Sequence, residues 1–85
     1  MVHKGDIVLN RWAGYNNPAR IFIVEHIGKE MTKVRYEVDG NLRSGNYYTK
    51  DLKEDKEHFV VIGNLNYEKP MIERLRAEKA RADNA

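Results

Sequence analysis

Apolar and polar residues alternate over residues 31–38 in a way that predicts a half-buried β-strand. One side of this segment is charged, and the other holds Thr32, Val34, Tyr36 and Val38. A period of two with one charged side is typical of a strand that buries a single face. Asp39-Gly40 follows directly, and Asp-Gly between two β-forming segments is a strong signal for a tight hairpin. Residues 42–49 are therefore predicted to be the partner strand.

Three further segments are rich in β-forming residues. The first starts near Asp6, and the last runs from His58 to Gly63 after a short helical turn over Asp51–Asp55. Between them, Arg20 to Ile27 has five apolar residues in eight, and its two faces differ little in hydrophobicity, which predicts a strand that is buried on both faces or bends through a barrel. The predicted core consists of Ile7, Leu9, Ile21, Ile23, Val34, Tyr36, Val38, Leu42, Leu52, Val60 and Ile62.

The pattern changes to that of a helix after Asn64. Residues 68–82 are rich in Glu, Lys, Arg, Ala and Leu, which are strong helix formers, and Pro70 suits a first helical turn. The apolar stripe is only two turns long, so we expect it to pack on the strands, with contact to a second copy as the alternative. No large apolar residue follows Lys79, and the end is expected to fray. The residues of the stripe are Met71, Ile72 and Leu75.

The order of these elements resembles that of SH3-like small β-barrels. The matching features are the opening Lys4-Gly5-Asp6-Ile7-Val8, the long loop over 11–19, hairpins at 28–30 and 39–41, and the Asp51-Leu52 turn. The resemblance implies a mainly β fold, a five-stranded SH3-like small barrel over residues 1–64. A C-terminal α-helix and frayed tail over residues 65–85 would complete a single domain. The Ala-Leu-Tyr-Asp-Tyr opening of peptide-binding SH3 domains is missing, which argues against proline-peptide binding.

The chain also resembles small uncharacterised proteins encoded by phages and prophages. The shared segments are Gly5-Asp6-Ile7-Val8, Asn17-Pro18 in the first loop, and the closing run Glu57-His58-Phe59-Val60-Val61-Ile62-Gly63. This resemblance implies no settled activity and transfers no catalytic residue. It suggests an accessory protein that acts in the cytoplasm of a host.

Composition narrows the class of function. The chain has 85 residues, 15 Lys and Arg against 13 Asp and Glu, and no cysteine. The lack of cysteine excludes a disulfide scaffold, and no apolar run approaches the ~20 residues that a membrane span needs. Because no secretory apolar segment follows Met1, a cytoplasmic protein is expected. A chain of this size has little room for a large catalytic cleft.

Residues with catalytic or metal-binding chemistry are few. His3, His26 and His58 are widely spaced and match no metal-ligand motif. Ser44 is the only serine, and no glycine-rich phosphate-binding loop is present. We therefore expect no enzymatic activity, no catalytic residue, no metal site and no cofactor.

The aromatic residues carry the strongest functional signal. Trp12 and Tyr15 lie on the predicted first loop, and the consecutive Tyr47 and Tyr48 must point to opposite faces of a strand. Aromatic rings beside guanidinium groups suit nucleic acids, and the same residue types dominate protein interfaces. The alternative is structural, with Trp12 capping the barrel and the two tyrosines filling its rim. The candidate binding residues are Arg11, Trp12, Tyr15, Arg20, Lys33, Arg35, Arg43, Tyr47 and Tyr48.

The sequence thus predicts a non-enzymatic module that binds a macromolecule through an aromatic and basic surface. The first hypothesis is a phage accessory protein that acts on nucleic acid or on nucleic-acid machinery. The alternative is an inhibitor that binds a protein of a host defence system, as anti-CRISPR proteins do. Expected partners are nucleic acid or a host or phage protein, without a membrane. The chain would be a monomer, or a homodimer through its C-terminal helix.

Overall fold

The computed structural model describes residues 2–65 and 68–84. Residues 1, 66, 67 and 85, which belong to the two predicted segments 1–64 and 65–85, lie outside this description. A 3-10 turn at Pro18–Arg20 precedes the second strand. In chain order the other elements are β1 (Asp6–Asn10), β2 (Ile21–Ile27), β3 (Met31–Val38), β4 (Asn41–Tyr48), α1 (Thr49–Glu54), β5 (Phe59–Asn64) and α2 (Glu68–Asn84).

The five strands form one antiparallel sheet in the order β4-β3-β2-β1-β5. This confirms the prediction of a mainly β fold with a C-terminal helix. β4 and β5 are the two edges, and in the described part of the chain they are not paired with each other. Closure of the sheet into a barrel therefore stays a prediction.

The predicted Asp-Gly hairpin joins β3 to β4. Asp39 has φ 51° and Gly40 has φ 83°, both in the left-handed region that this turn requires. Val38 pairs with Asn41 across the turn, so the loop has two residues and sets the register of both strands.

We call one face of the sheet the inner face. Its side chains are buried by contacts that do not involve α2. Val8 pairs directly with Phe22, and Val24 pairs with Val34, so these four side chains form one cluster. Leu52 of α1 packs against the same cluster, which brings this short helix onto the sheet. Further members are Val2 and Phe59, with Ile27, Tyr36 and Tyr47 partly buried around them.

The opposite, outer face is covered by α2. Ile7 pairs with Ile23, and both are buried together with Ile21 beneath Leu75 of the helix. Met71 packs against the same cluster, whereas Ile72 is half-buried and outside it. No helix in residues 2–65 and 68–84 has the length and apolar character needed to cross a membrane.

The end of α2 has two contacts that its sequence does not reveal. Ala82 packs against the outer cluster, and the Asp83 carboxylate lies 3.3 Å from Nε of Arg20. The helix continues to Asn84, past the point after Lys79 where fraying is expected.

The predicted core mixes residues of both faces. Five of its members are buried, namely Ile7, Ile21, Ile23, Val34 and Leu52. The other six are half-buried. The prediction omits Val8, Phe22 and Val24, which occupy alternate positions on the same strands and are fully buried. The reason is that β1 and β2 are covered on both faces, so every second residue contributes to a different cluster.

Candidate macromolecule-binding surface

The loop between β1 and β2 is ordered by hydrogen bonds from its own turn residues. Asn10 ends β1, and its side-chain oxygen accepts the backbone N–H of Trp12 at 3.0 Å. The backbone N–H of Ala13 donates to the carbonyl of Asn10 at 3.2 Å, and that of Asn17 donates to Gly14 at 3.0 Å. Ala13 is 8% exposed and fixes the middle of the loop against the body of the protein. The loop therefore presents its aromatic side chains from a defined backbone.

Trp12 is exposed and yet held in place by two contacts. Its ring stacks on the imidazole of His58, with 3.9 Å between the ring centroids. Its Nε1 donates to a carboxylate oxygen of Asp55 at 2.9 Å. The residue nevertheless remains 66% exposed, and it belongs to neither buried cluster. An indole with this exposure offers one open face to a partner.

Asp55 and His58 form the support beneath Trp12. Nδ1 of His58 lies 2.9 Å from a carboxylate oxygen of Asp55, which also accepts the backbone N–H of His58. These hydrogen bonds from His58, together with that from Trp12, lower the pKa of Asp55 below its ordinary value. Asp55 is therefore an anion at neutral pH and orders the imidazole and the indole together.

Tyr15 and Arg20 lie on the same loop. The Arg20 guanidinium carbon is 4.2 Å from the centroid of the Tyr15 ring, a cation–π geometry, and Tyr15 is 58% exposed. Arg20 also donates to the carbonyl of Ala13 at 2.8 Å and pairs with Asp83 of α2. We call Trp12, Tyr15, Arg20, Asp55 and His58 the Trp12 surface. Arg11 is its exposed neighbour in the chain.

A second group of predicted residues lies on the outer face of β3 and β4. Lys33 and Arg35 both pair with the carboxylate of Glu25, at 3.2 and 2.9 Å. Tyr48 is 64% exposed and lies directly opposite Met31, which is also exposed. This group is separate from the first loop in the chain and on the sheet.

The remaining two predicted residues belong to the inner side. Tyr47 stacks on Phe22, with 4.9 Å between ring centroids, and its hydroxyl accepts a hydrogen bond from Asn10 at 3.1 Å. Burial raises the pKa of Tyr47 above its ordinary value. Arg43 is exposed and lies opposite Tyr36 in the register. Of the two consecutive tyrosines, Tyr48 is the one that points to solvent.

Three of the five cations of the predicted binding set lie beside carboxylates. Arg20 pairs with Asp83, and Lys33 and Arg35 share Glu25. Asp55 adds a negative charge directly at the Trp12 ring. The Trp12 surface is therefore aromatic and electrically balanced, rather than strongly basic.

Sequence reasoning missed Asp55 and His58 as parts of the site. They follow Trp12 by more than forty residues, so only the fold brings them together. A local signal does exist, because an Asp three residues before the last residue of a turn can accept its backbone N–H, as Asp55 does from His58. Across the described ranges, the structure contains no group of three or more His, Asp or Glu side chains arranged to hold a metal ion.

Comparisons with known proteins return no match. No protein-family model matches the chain, and neither a curated protein nor a solved structure is similar enough to match. The SH3-like and phage-protein resemblances stay predictions from the sequence.

Proposed function

We propose that this protein is a non-enzymatic module that binds a macromolecule through the Trp12 surface. The observation that carries the proposal is the state of Trp12, which is 66% exposed while stacked on His58 and hydrogen-bonded to Asp55. A large exposed ring that is already fixed loses little side-chain freedom when a partner covers it. Trp, Tyr and Arg, the residue types of this surface, are also those most enriched at binding hot spots.

A protein is the partner that the charges favour. A phosphate group that approached Trp12 would face the Asp55 carboxylate, and Arg20 would have to leave Asp83 to pair with it. A protein surface with mixed charges can cover Trp12 without bringing a negative group to Asp55 and without breaking the Arg20–Asp83 pair. Aromatic side chains are enriched at protein interfaces, whose cores are poor in charge. If the predicted resemblance to phage proteins holds, such a partner would belong to the nucleic-acid machinery or the defence proteins of a bacterial host.

Nucleic acid is the second candidate, and another part of the molecule favours it. Lys29, Lys50 and Lys53 outnumber the single carboxylate of Glu54 in the lining of a surface cavity of about 270 Å³ beside α1. Tyr48, the residue before α1, is exposed and offers a ring on which a base could stack. Binding at this place would weaken steeply with salt because lysines would replace the counterions of the phosphates.

We also propose that the sheet closes into an SH3-like barrel where β4 approaches β5. The contact that supports closure is between Tyr47 and Phe59, whose ring centroids are 5.6 Å apart. The hydrogen bond from Asn10 to Tyr47 links the same end of β4 to β1. Cross-peaks in NMR spectra between backbone protons of β4 and β5 would support closure, and their absence beside strong β3–β4 cross-peaks would refute it.

The test of the proposed function is a pull-down from a bacterial lysate with the intact chain and three variants. Trp12→Ala and Tyr15→Ala should each lose at least about tenfold in recovered partner, because each removes a hot-spot aromatic ring. Tyr48→Ala is the matched control, since it removes an equally exposed ring elsewhere. We expect this control to retain the partner.

Melting temperatures separate binding from folding. We expect Trp12→Ala to leave the melting temperature nearly unchanged, because the ring is mostly exposed. Retention of the partner by Trp12→Ala would contradict the proposal, as would a large fall in melting temperature, which would make Trp12 a structural cap. Salt-sensitive DNA or RNA binding at ~50 mM salt that Tyr48→Ala abolishes would establish the second candidate instead.

A further inference from the structure

The ring of Trp12 has one covered face and one open face. The covered face stacks on the imidazole of His58, and the two ring planes are inclined by 23°. Because 66% of Trp12 is exposed, the other face is open to solvent. The face of an indole is electron-rich and attracts cations that lie within about 6 Å of its centre. The open face of Trp12 is therefore a place where a cation can bind.

A carboxylate at the edge of the same ring adds to this attraction. Nε1 of Trp12 donates to Asp55 at 2.9 Å, so the negative charge of Asp55 lies directly beside the indole. In the described part of the chain the other partner of this carboxylate is His58, and no lysine or arginine pairs with it. A negative charge so close to the ring strengthens the binding of a cation over the open face and weakens that of an anion.

The lysines closest to Asp55 in the chain line cavities that do not include it. Lys53 lines the cavity beside α1, and Lys56 lines a different cavity of about 210 Å³ next to β5. These two linings contain neither Asp55 nor the indole. Glu57 adds an exposed carboxylate two residues after Asp55, and Arg11 is the exposed cation next to the indole in the chain. The charge that touches the ring itself is that of Asp55.

The other aromatic ring of this loop has its cation within the chain. The guanidinium carbon of Arg20 lies 4.2 Å from the centre of the Tyr15 ring. Arg20 is held there by the carbonyl of Ala13 and by the carboxylate of Asp83. In the part of the chain that the structure describes, no cation lies over Trp12. Tyr15 is thus occupied from within, whereas Trp12 is available to a cation from another molecule.

An arginine side chain suits the open face of Trp12 better than a lysine does. A guanidinium group is planar, so it can lie flat on the indole while its N–H groups donate to acceptors around the ring. The ammonium group of lysine is compact and more strongly hydrated, so it loses more water when it covers an aromatic face. The contact between Arg20 and Tyr15 is an example of the favoured pair in this same loop.

We propose that the open face of Trp12 binds an arginine side chain of the partner protein, and that Asp55 supplies the opposite charge. The inference rests on the proposed function, because it names the chemistry that the Trp12 surface recognises. The carboxylate that disfavours a phosphate at this place favours a guanidinium group for the same electrostatic reason. The partner would thus present an exposed arginine at the point where it covers the loop between β1 and β2.

The test is an NMR titration of the full chain with three capped tripeptides at neutral pH and constant ionic strength. The peptides are Gly-Arg-Gly and its versions with citrulline or lysine in the centre. Citrulline has nearly the shape of arginine but no charge. We expect the indole N–H signal of Trp12 to shift with the arginine peptide, with a Kd below about 100 mM because one contact of the interface is supplied. The citrulline and lysine peptides should bind at least about threefold more weakly.

Three variants of the protein locate the site. Asp55→Asn keeps an oxygen that can accept the indole N–H but loses the charge, and it should weaken binding of the arginine peptide at least about twofold. Glu57→Gln is the matched control, since it removes an equal charge that is not hydrogen-bonded to the indole, and it should retain the affinity. Trp12→Ala should abolish binding, as followed by the side-chain protons of the peptide. If Asp55→Asn fails to fold, the three peptides on the unaltered protein decide the question.

Equal affinity for the arginine and citrulline peptides would overturn the proposal, as would a Kd for arginine above ~100 mM. Tighter binding of the lysine peptide would also contradict it. A homodimer in light scattering that Trp12→Ala converts to monomer would place a second copy on the ring instead of a partner. The pull-down separates this inference from the proposed function. If Trp12→Ala loses the recovered partner while the tripeptides fail to bind, the Trp12 surface remains the binding site and arginine is not its ligand.

Discussion

The two faces of the sheet are buried by different means. The side chains of the inner face pack against Leu52 of α1 and against one another, as the stacked rings of Phe22 and Tyr47 do. The outer face depends on α2, whose Leu75 is the one buried apolar side chain that the described residues of the helix contribute to that cluster. The inner core thus holds the sheet together, whereas the outer core holds one helix on it.

The buried polar groups of the fold are also paired in different ways. Glu78 of α2 is 2% exposed and accepts hydrogen bonds from Arg74 and Arg81, so the outer layer contains a buried carboxylate. Elsewhere in the fold, the hydroxyls of Thr32 and Thr49 form a neutral buried contact at 2.8 Å, and the buried carboxylate of Asp6 accepts hydrogen bonds from the backbone N–H of His3 and the side-chain amide of Asn64. Burying a charge is costly unless it is paired, and at Glu78 two arginines supply the pairing. The outer layer therefore relies on a few specific contacts, and we expect it to loosen first.

The largest expected effect is that of Phe22→Ala in the inner core. Phe22 is fully buried and contacts the rings of Tyr47 and Phe59. Its loss should lower the free energy of unfolding by about 3 to 5 kcal/mol, which is most of the stability of a small domain. Urea denaturation followed by far-UV circular dichroism measures the change. A loss below about 1 kcal/mol would show that the inner face is not the main core.

A smaller loss is expected from Leu75→Ala in the outer core. The change removes the central apolar contact of α2 and should cost about 2 to 3 kcal/mol. We expect the helix to detach before the sheet unfolds, so amides of α2 should exchange at lower free energy than those of β2. Hydrogen exchange of the variant checks this. Equal exchange of both elements would instead show that helix and sheet unfold as one unit.

The smallest expected effect is a loss of stability at low pH that comes from the contact between Arg76 of α2 and Glu37 of β3. The hydrogen bond from Arg76, aided by the backbone N–H of Gly40, lowers the pKa of Glu37 below its ordinary value of 4.5. The unfolded chain therefore binds more protons than the folded one at low pH. The contribution of this pair to the free energy of unfolding is complete above pH 4.5 and is lost as pH falls through the lowered pKa. Because the pair is partly exposed, the loss should be at most about 1 kcal/mol.

The variant Arg76→Gln tests that assignment. The pKa of Glu37 should move back toward its ordinary value, and the fall in melting temperature between pH 6 and pH 3 should become shallower, because the proton linkage is reduced. Arg81→Gln provides a control on the same helix, since Arg81 pairs with Glu78 and not with Glu37. An unchanged pH profile in Arg76→Gln would rule out the Glu37–Arg76 pair as its source.

The sequence predicts the local parts of this fold well. The alternation in β3 places Thr32 and Val34 on the buried face, and Asp39-Gly40 forms the two-residue turn that its residue types require. Such features depend on neighbours along the chain, whose geometry follows from period and turn chemistry. The same reasoning predicted that β2 is buried on both faces or bends through a barrel, and its alternate residues do lie in two buried clusters.

The long-range contacts could not be predicted in this way. A Glu in a helix rich in Glu and Arg is typical of a solvent-exposed face, and only the docking of α2 buries Glu78. Likewise, the support of Trp12 by His58 and Asp55 joins parts of the chain that the loop and β5 bring together. The candidate residues of the site were thus identified by type, whereas their grouping required the fold.

The placement of Trp12 also gives the protein an intrinsic fluorescent signal. It is the single tryptophan of the sequence, it lies at the proposed binding surface, and it belongs to neither buried cluster. Its fluorescence should therefore respond to a partner that covers the loop, and also to unfolding, which separates the indole from His58 and Asp55. Binding and folding can both be followed through this one residue without an added dye.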